Sequence, residues 1–184
     1  GFRLHSVGQS VDTLEVRIDS PDPQRVVGEI LVRGENVMQG YYKNPKATRE
    51  VIDKAGWLHT GDLGVIDNDG FIFIRGRSKT MLLGPSGENV YPEEIEARLN
   101  NMPFVQESLV VERAGQLVAL VYPDAEAVDA HGLDEQDVRD AMEKNRRQLN
   151  AGLPASWAVA RTEVFPEEFE KTPTRKIKRF MYSV

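Results

Sequence analysis

Three polar stretches hold the residues of this chain that could do chemistry. The first is Gly56-Trp57-Leu58-His59-Thr60-Gly61-Asp62-Leu63-Gly64. A carboxylate held by a glycine-flanked turn can accept hydrogen bonds from two vicinal hydroxyls, which is how an acidic residue reads a ribose. The same residues also fit a plain Asp side-chain turn. The second is Gly76-Arg77-Ser78-Lys79. An Arg at a domain junction can bond a ribose or phosphate in one arrangement and release it in another; the alternative is a solvated basic linker. The third is Pro173-Thr174-Arg175-Lys176-Ile177-Lys178-Arg179. A Lys on a short ordered loop can bring positive charge to a phosphate as charge develops in its transition state. A basic terminal run is often only a solvated tail, but Thr172-Pro173-Thr174 suggests an ordered turn here.

Other chemistries are excluded. There is no cysteine, so disulfide scaffolds, thiolate metal sites and cysteine nucleophiles are ruled out. His5, His59 and His131 lack metal-ligand spacing, and no metal site is expected. Neither a Gly-x-Ser-x-Gly elbow nor a Gly-x-x-x-x-Gly-Lys-Ser/Thr loop is present. Asp67-Asn68-Asp69-Gly70 invites a calcium loop. With Gly70 at the sixth position, however, the first is Val65 and the twelfth is Gly76, and neither supplies a carboxylate. The 23 Lys and Arg against 29 Asp and Glu give a net charge of −6, which speaks against a nucleic-acid partner. No apolar run approaches the roughly 20 residues of a membrane span. A cytoplasmic protein is expected, with peripheral membrane association left open.

The elements that must position these stretches can be read from periodicity. The 184 residues, 40% apolar and 28% charged, allow one domain or two small ones. The opening Gly1-Phe2-Arg3-Leu4-His5 is neither a signal peptide nor a helix start, and it reads as a point inside a longer protein. Leu14, Val16 and Ile18 alternate with charged residues and predict a strand; Gly28 to Arg33 predicts a second. Asn44-Pro45 predicts a capped helix to about Asp53. Gly64 to Ile74 reads as a hairpin. The composition then turns polar and basic, so a boundary is placed after Gly76. Pro92 opens a helix with Ile95, Leu99 and Met102 on its inner face. Val105 to Val111 and Leu117 to Tyr122 predict strands joined near Ala114-Gly115. Asp134 caps a long helix with Val138, Met142 and Leu149 inside. That helix should carry the pairs Glu135–Arg139, Asp140–Lys144 and Glu143–Arg147 outside. Ala158 to Phe165 supplies a third strand. The second half therefore reads as a small α+β layer with helices on one side of a sheet.

The polar stretches, in this order, resemble the adenylate-forming superfamily of acyl-CoA synthetases, adenylation domains and luciferases. Gly28-Glu29-Ile30 through Gly40-Tyr41-Tyr42-Lys43-Asn44-Pro45 is similar to the family's "GEI…GYY.NP" stretch, and Thr60-Gly61-Asp62 to its "TGD" motif. Gly76-Arg77-Ser78-Lys79 with Tyr91-Pro92-Glu93-Glu94-Ile95-Glu96 resembles its hinge motif, and Pro173 to Arg179 its terminal "PTGKIKR". Ser86-Gly87-Glu88-Asn89-Val90-Tyr91-Pro92 is more similar to the long-chain fatty acid–CoA ligase branch.

The resemblance implies an α+β fold. Residues 1–76 would be a distal β-barrel-like subdomain of the large adenylation domain. Residues 77–184 would be a mobile C-terminal lid with a three-stranded sheet. It implies ATP, a fatty acid and coenzyme A as small-molecule substrates, with magnesium held mainly by upstream sequence. By motif, Asp62 and Arg77 would bind the ribose of ATP or AMP, and Lys79 would be the hinge. Lys176 would bridge the substrate carboxylate and the α-phosphate. Gly84 and Gly87 would shape the coenzyme A tunnel. Arg175 departs from the family, which usually has Gly there. The phosphate loop, acyl pocket, adenine-binding strand and magnesium site of the family lie upstream of the matching region, so these 184 residues alone are expected not to form an acyl-adenylate. An acyl-AMP ligase, another acid–CoA ligase, a carrier-dependent adenylation domain and a non-enzymatic α+β binding module are the alternatives.

Overall fold

A computed structural model describes residues 2–84 and 87–183. The chain divides into two compact units, Gly1–Thr80 and Met81–Val184.

In the first unit, β1 (Gly8–Gln9), β2 (Leu14–Asp19), β3 (Gly28–Gly34), β4 (Leu58–Ile66) and β5 (Phe71–Arg77) form one antiparallel sheet in the order β1-β5-β4-β3-β2. The alternation in β2 has its physical cause in the sheet: Ile18 is buried with Ile30 and Ile72, and Val16 packs against them. Between β3 and β4 lies α1 (Pro45–Val51). Asn44 caps it by accepting from the Ala47 N–H, and Pro45 sits at its first position. The helix stops two residues short of Asp53 because that carboxylate has other work. It accepts from the N–H groups of Ala55 at 2.8 Å and Trp57 at 2.9 Å, and so turns the chain into β4. Buried Trp57 then carries the Arg17 and Arg33 guanidiniums over its ring at 4.8 and 4.6 Å.

The hairpin is longer than its apolar pattern suggests. β4 begins at Leu58, before the expected Gly64, and β5 runs through the expected boundary after Gly76 to Arg77. The extension is polar, and the cross-strand pair Asp62–Arg77 lies within it. At the tip, Gly70 takes φ +81° and Asp67 Oδ1 accepts from the N–H groups of Asp69 and Phe71 at 2.9 Å each.

In the second unit, β6 (Leu82–Leu83) and β7 (Asn89–Val90) make a short hairpin before α2 (Pro92–Leu99). Then come β8 (Val105–Arg113), β9 (Gln116–Pro123), α3 (Ala125–Ala130), α4 (Glu135–Ala151) and β10 (Val159–Val164). The main sheet has the order β10-β9-β8, with β8 antiparallel and β10 parallel to β9. Ala114 and Gly115 both have positive φ, 52° and 75°, as a two-residue hairpin turn requires. Central β9 is buried on both faces. Leu117, Ala119 and Val121 join Ile95, Leu99, Met142 and Leu149 in the core under α2 and α4. Val118 and Leu120 join Leu109, Val111 and Phe169 on the opposite face, where Phe165, Ile177 and Tyr182 pack. The C-terminal segment thus covers the face that the helices leave. The chain is α+β, as its pattern predicted.

Two local features differ from expectation. α3 has no long apolar stripe to announce it; Asp124 caps it through the Ala127 N–H. On α4, Asp134 and Asp137 form a reciprocal capping box. Glu135–Arg139 and Glu143–Arg147 are ion pairs at 3.5 and 3.0 Å. Asp140 instead accepts from Gln136 Nε2 at 2.9 Å, and no Asp140–Lys144 pair forms among the described residues. Glu143 also binds Arg146 at 2.7 Å, and these two guanidiniums hold its carboxyl down at about 2.

Gly64 faces the Phe73 carbonyl oxygen, where an added Cβ would lie 2.5 Å away. Gly64→Ala should therefore lower stability by about 1–3 kcal/mol in urea unfolding, the usual cost of overpacking. Because the folded Glu143 carboxyl lies below its ordinary value of 4.5, its stabilisation is present above that pH and is lost as pH falls through about 2. The stability gap between the wild type and Glu143→Gln should narrow over that window in acid titrations followed by circular dichroism.

Candidate functional site

The first unit places Asp62, Arg77 and Lys79 together around an irregularity in β4. Glu29 pairs with Leu63 and Leu31 pairs with His59, so Thr60, Gly61 and Asp62 together stand opposite Ile30. This is a bulge of three residues against one, and side chains take over its missing backbone partners on the β3 side. Thr60 Oγ1 donates to the Ile30 carbonyl at 2.7 Å and accepts from the Asp62 N–H at 3.1 Å. Glu29 Oε1 accepts from the Gly61 N–H at 2.9 Å. The Gly61 carbonyl accepts from the Ser78 N–H at 2.9 Å. Gly61 has φ +74°, where a side chain would be strained.

The bulge turns Asp62 toward β5. Arg77 Nε donates to Asp62 Oδ1 at 2.8 Å, while Oδ2 takes no hydrogen bond among the described residues. Both groups are part exposed, so the pair is a weak anchor and an available one. Beside it a cleft of 620 Å³ is lined in part by Glu29, Met38, Tyr41, His59, Arg77 and Lys79. Lys79 lies two residues beyond the end of β5 and is exposed.

Lys176 lies on the second unit, on a loop pinned at both legs. Lys171 and Ile177 form an antiparallel bridge. Between them the Thr172 N–H donates to the Lys176 carbonyl and the Arg175 N–H to the Thr172 carbonyl, each at 2.8 Å. Lys171 Nζ reaches Glu107 at 2.7 Å and also pairs with Glu168. Ile177 packs on the sheet, and Lys178 Nζ reaches Glu170 at 2.9 Å. Arg179 donates to both oxygens of buried Glu96 at 2.8 and 2.9 Å and to the Val110 carbonyl at 3.0 Å. Burial pushes the Glu96 carboxyl up, against the opposing pull of the Arg179 guanidinium. Arg175 and Lys176 are exposed, and neither enters an ion pair among the described residues.

Gly84 and Gly87 flank the β6–β7 turn. The Gly84 N–H donates to the Glu88 carbonyl and the Gly87 N–H to the Gly84 carbonyl, at 2.8 and 2.9 Å. Gly84 is buried, and a Cβ there would lie 1.9 Å from Glu88 Oε1; Gly87 has φ +82°. Pro85 and Ser86, the latter in the stretch read as long-chain-like, lie outside the described residues.

Sequence reasoning missed Glu29 as a bonding partner of the bulge and Glu96 as the anchor of Arg179. Both sit in quoted motifs, but their partners lie 32 and 83 residues away. Arg175 adopts φ +61°, which costs a non-glycine residue roughly 1–2 kcal/mol. Arg175→Gly should stabilise the chain by up to about 1 kcal/mol in urea unfolding, since the greater freedom of unfolded glycine offsets part of the gain.

No family model matches the sequence. The chain is similar to 4-coumarate:CoA ligase 1 of Petunia hybrida, 37% identical over 183 residues, a match that takes in 94% of this chain and 31% of that protein. It is 33% identical to 2-succinylbenzoate–CoA ligase of Bacillus cytotoxicus over 180 residues, 96% of this chain and 35% of the relative. Among solved structures it superposes on o-succinylbenzoate CoA synthetase (MenE) from Bacillus subtilis in complex with the acyl-adenylate intermediate OSB-AMP. The TM-score is 0.78 and the identity 26%, over 98% of this chain and 36% of that one. The chain thus spans about a third of the length of the curated relatives it matches. Its homologues and structural neighbours are adenylate-forming CoA ligases, and its α+β fold is that of their C-terminal parts.

Proposed function

We propose that this chain serves an AMP-forming acid–CoA ligase, in which a carboxylate is adenylated by ATP and then passed to the thiol of coenzyme A. The observation that carries the reading is the division of labour in the tail. Lys171, Lys178 and Arg179 are committed to carboxylates, and Lys176 stands exposed on the loop they pin. A cation so held needs little reorganisation to meet charge that develops during reaction.

In the first half-reaction an oxygen of the acid attacks the α-phosphorus of ATP and pyrophosphate leaves. Lys176 Nζ would stand against the acid carboxylate and the α-phosphate and offset the charge gathering on the phosphoryl oxygens. Asp62 would accept hydrogen bonds from the ribose hydroxyls, using the oxygen that Arg77 leaves free, and Arg77 would donate to the same ribose. In the second half-reaction the thiol attacks the acyl carbon and AMP leaves, so Lys176 must give up its place. The second unit, Met81–Val184, would act as the lid that makes this exchange, with Lys79 as pivot and the Gly84–Gly87 turn shaping the thiol's path. Among the described residues no group of three or more His, Asp or Glu is placed to hold a metal ion.

The acid is a finer matter. A long-chain fatty acid is suggested by the Ser86–Pro92 stretch, whereas the relatives are named for coumarate and succinylbenzoate. The reading supported best is therefore a carboxylic acid without a stated chain length. A panel of acids, with AMP release read with and without coenzyme A, distinguishes them. Among the described residues no helix is long and apolar enough to cross a membrane.

In the complete polypeptide that carries this chain, Lys176→Ala should slow adenylation on the order of 10²-fold or more, about 1.4 kcal/mol per tenfold. Thioester formation from pre-made acyl-adenylate should be spared. Equal loss in both half-reactions, measured by pyrophosphate exchange and by thioester yield, overturns the role given to Lys176.

A further inference from the structure

The reaction as proposed gives no task to Glu29, the acidic residue of Gly28-Glu29-Ile30. Its surroundings do. Both carboxylate oxygens are engaged: Oε1 by the Gly61 N–H at 2.9 Å and Oε2 by His59 Nδ1 at 2.8 Å. His59 Nε2 in turn faces Asp53 Oδ2 at 4.0 Å, so its ring stands between two carboxylates. Asp53 itself holds the turn that leads into β4. A connected set therefore runs from that turn through His59 and Glu29 to Gly61, the residue before Asp62.

A bulge of three residues opposite one has backbone groups that the sheet ladder cannot pair, and each must find a partner or face water. The Gly61 carbonyl is taken by Ser78, the neighbour of Arg77. The Gly61 N–H is taken by Glu29. These two bonds fix the peptide groups on both sides of Gly61, which sits at φ +74° and has no side chain to restrict its backbone. The direction of the next side chain, Asp62, follows from them.

We propose that Glu29 is a positioning residue: by holding the Gly61 N–H inside the β4 bulge, with His59 steadying its carboxylate, it aims Asp62 at the nucleotide. This rests on the reading of Asp62 as the group that binds the ribose. A displacement of about an ångström in such a group can cost on the order of a hundredfold, so losing one tether of the bulge should be visible in nucleotide affinity.

The test uses Glu29→Ala, Glu29→Gln and Asp62→Ala in the complete polypeptide, with KM measured separately for ATP, acid and coenzyme A. Glu29→Ala should raise KM for ATP on the order of tenfold, with the other two KM values and kcat changed far less. Glu29→Gln keeps an acceptor oxygen for Gly61 and should restore most of the loss. Combining Glu29→Ala with Asp62→Ala should add little to Asp62→Ala. In parallel, amide exchange of Gly61 in the 184-residue chain should quicken in Glu29→Ala and stay slow in Glu29→Gln. A wild-type KM for ATP in Glu29→Ala, while Asp62→Ala raises it, overturns the proposal and leaves the ribose reading standing. A uniform loss across all three substrates also overturns it, since that marks a general folding defect. If Asp62→Ala leaves KM for ATP unchanged, the ribose reading fails and this proposal with it, whatever the Gly61 exchange shows.

Discussion

Toward β3 the peptide groups around Gly61 have no regular ladder partners, and the polar end of the hairpin is arranged around that fact. β4 carries Thr60, Gly61 and Asp62 opposite Ile30, and the donors and acceptors so displaced are claimed by Thr60, Glu29 and Ser78. An unpaired buried backbone group costs about as much as a lost hydrogen bond, so these side chains are as much part of the sheet as its strands. The bulge turns Asp62 toward Arg77 and opens a polar cleft at the end of an otherwise apolar hairpin. Strand irregularity and site geometry are one feature.

The second unit solves a similar problem with charge. A short loop has little core of its own, and Ile177 is the apolar residue by which the Lys171–Arg179 stretch packs on the sheet. The remaining hold comes from ion pairs on each leg, with Glu107 and Glu168 on one side and Glu170 and Glu96 on the other. Exposed pairs contribute little singly. The Glu96–Arg179 pair differs, because it is largely buried and satisfies backbone groups of β8 as well. The basic run, which by composition alone fits a solvated tail, is fastened to carboxylates of β8, of α2 and of the segment just before it.

Elements held together by local rules were legible before any coordinates. The alternation of β2, the caps at Asn44 and Asp134, and the apolar run of β9 each follow from neighbours a few residues apart. The polar stretches around Asp62, Arg77 and Lys176 could be singled out, because glycine, proline and charge cluster there. What could not be read is the reach between distant residues. Nothing near Glu29 announces Gly61, and nothing near Glu96 announces Arg179. The extra length of β4 and β5 was hidden for the same reason: it is built from polar residues whose pairing only the bulge explains. α3 escaped because six residues with no buried side chain leave no periodicity to detect. Arg175 gives no sign in its neighbours that its backbone is left-handed; only the comparison with the usual glycine pointed to it.

The position of Glu96 has one more effect. β8 is an edge strand of the sheet, and the backbone groups along such an edge are a template on which a foreign strand can add. At Val110 both groups are already used: the N–H donates to Glu96 Oε1 at 2.7 Å, and the carbonyl accepts from Arg179 at 3.0 Å. An ion pair thus stands where an intruding strand would lie, and to displace it a second chain would have to strand a buried carboxylate and its guanidinium without partners. The clasp that seats the C-terminal loop also blocks strand addition at Val110 on this edge.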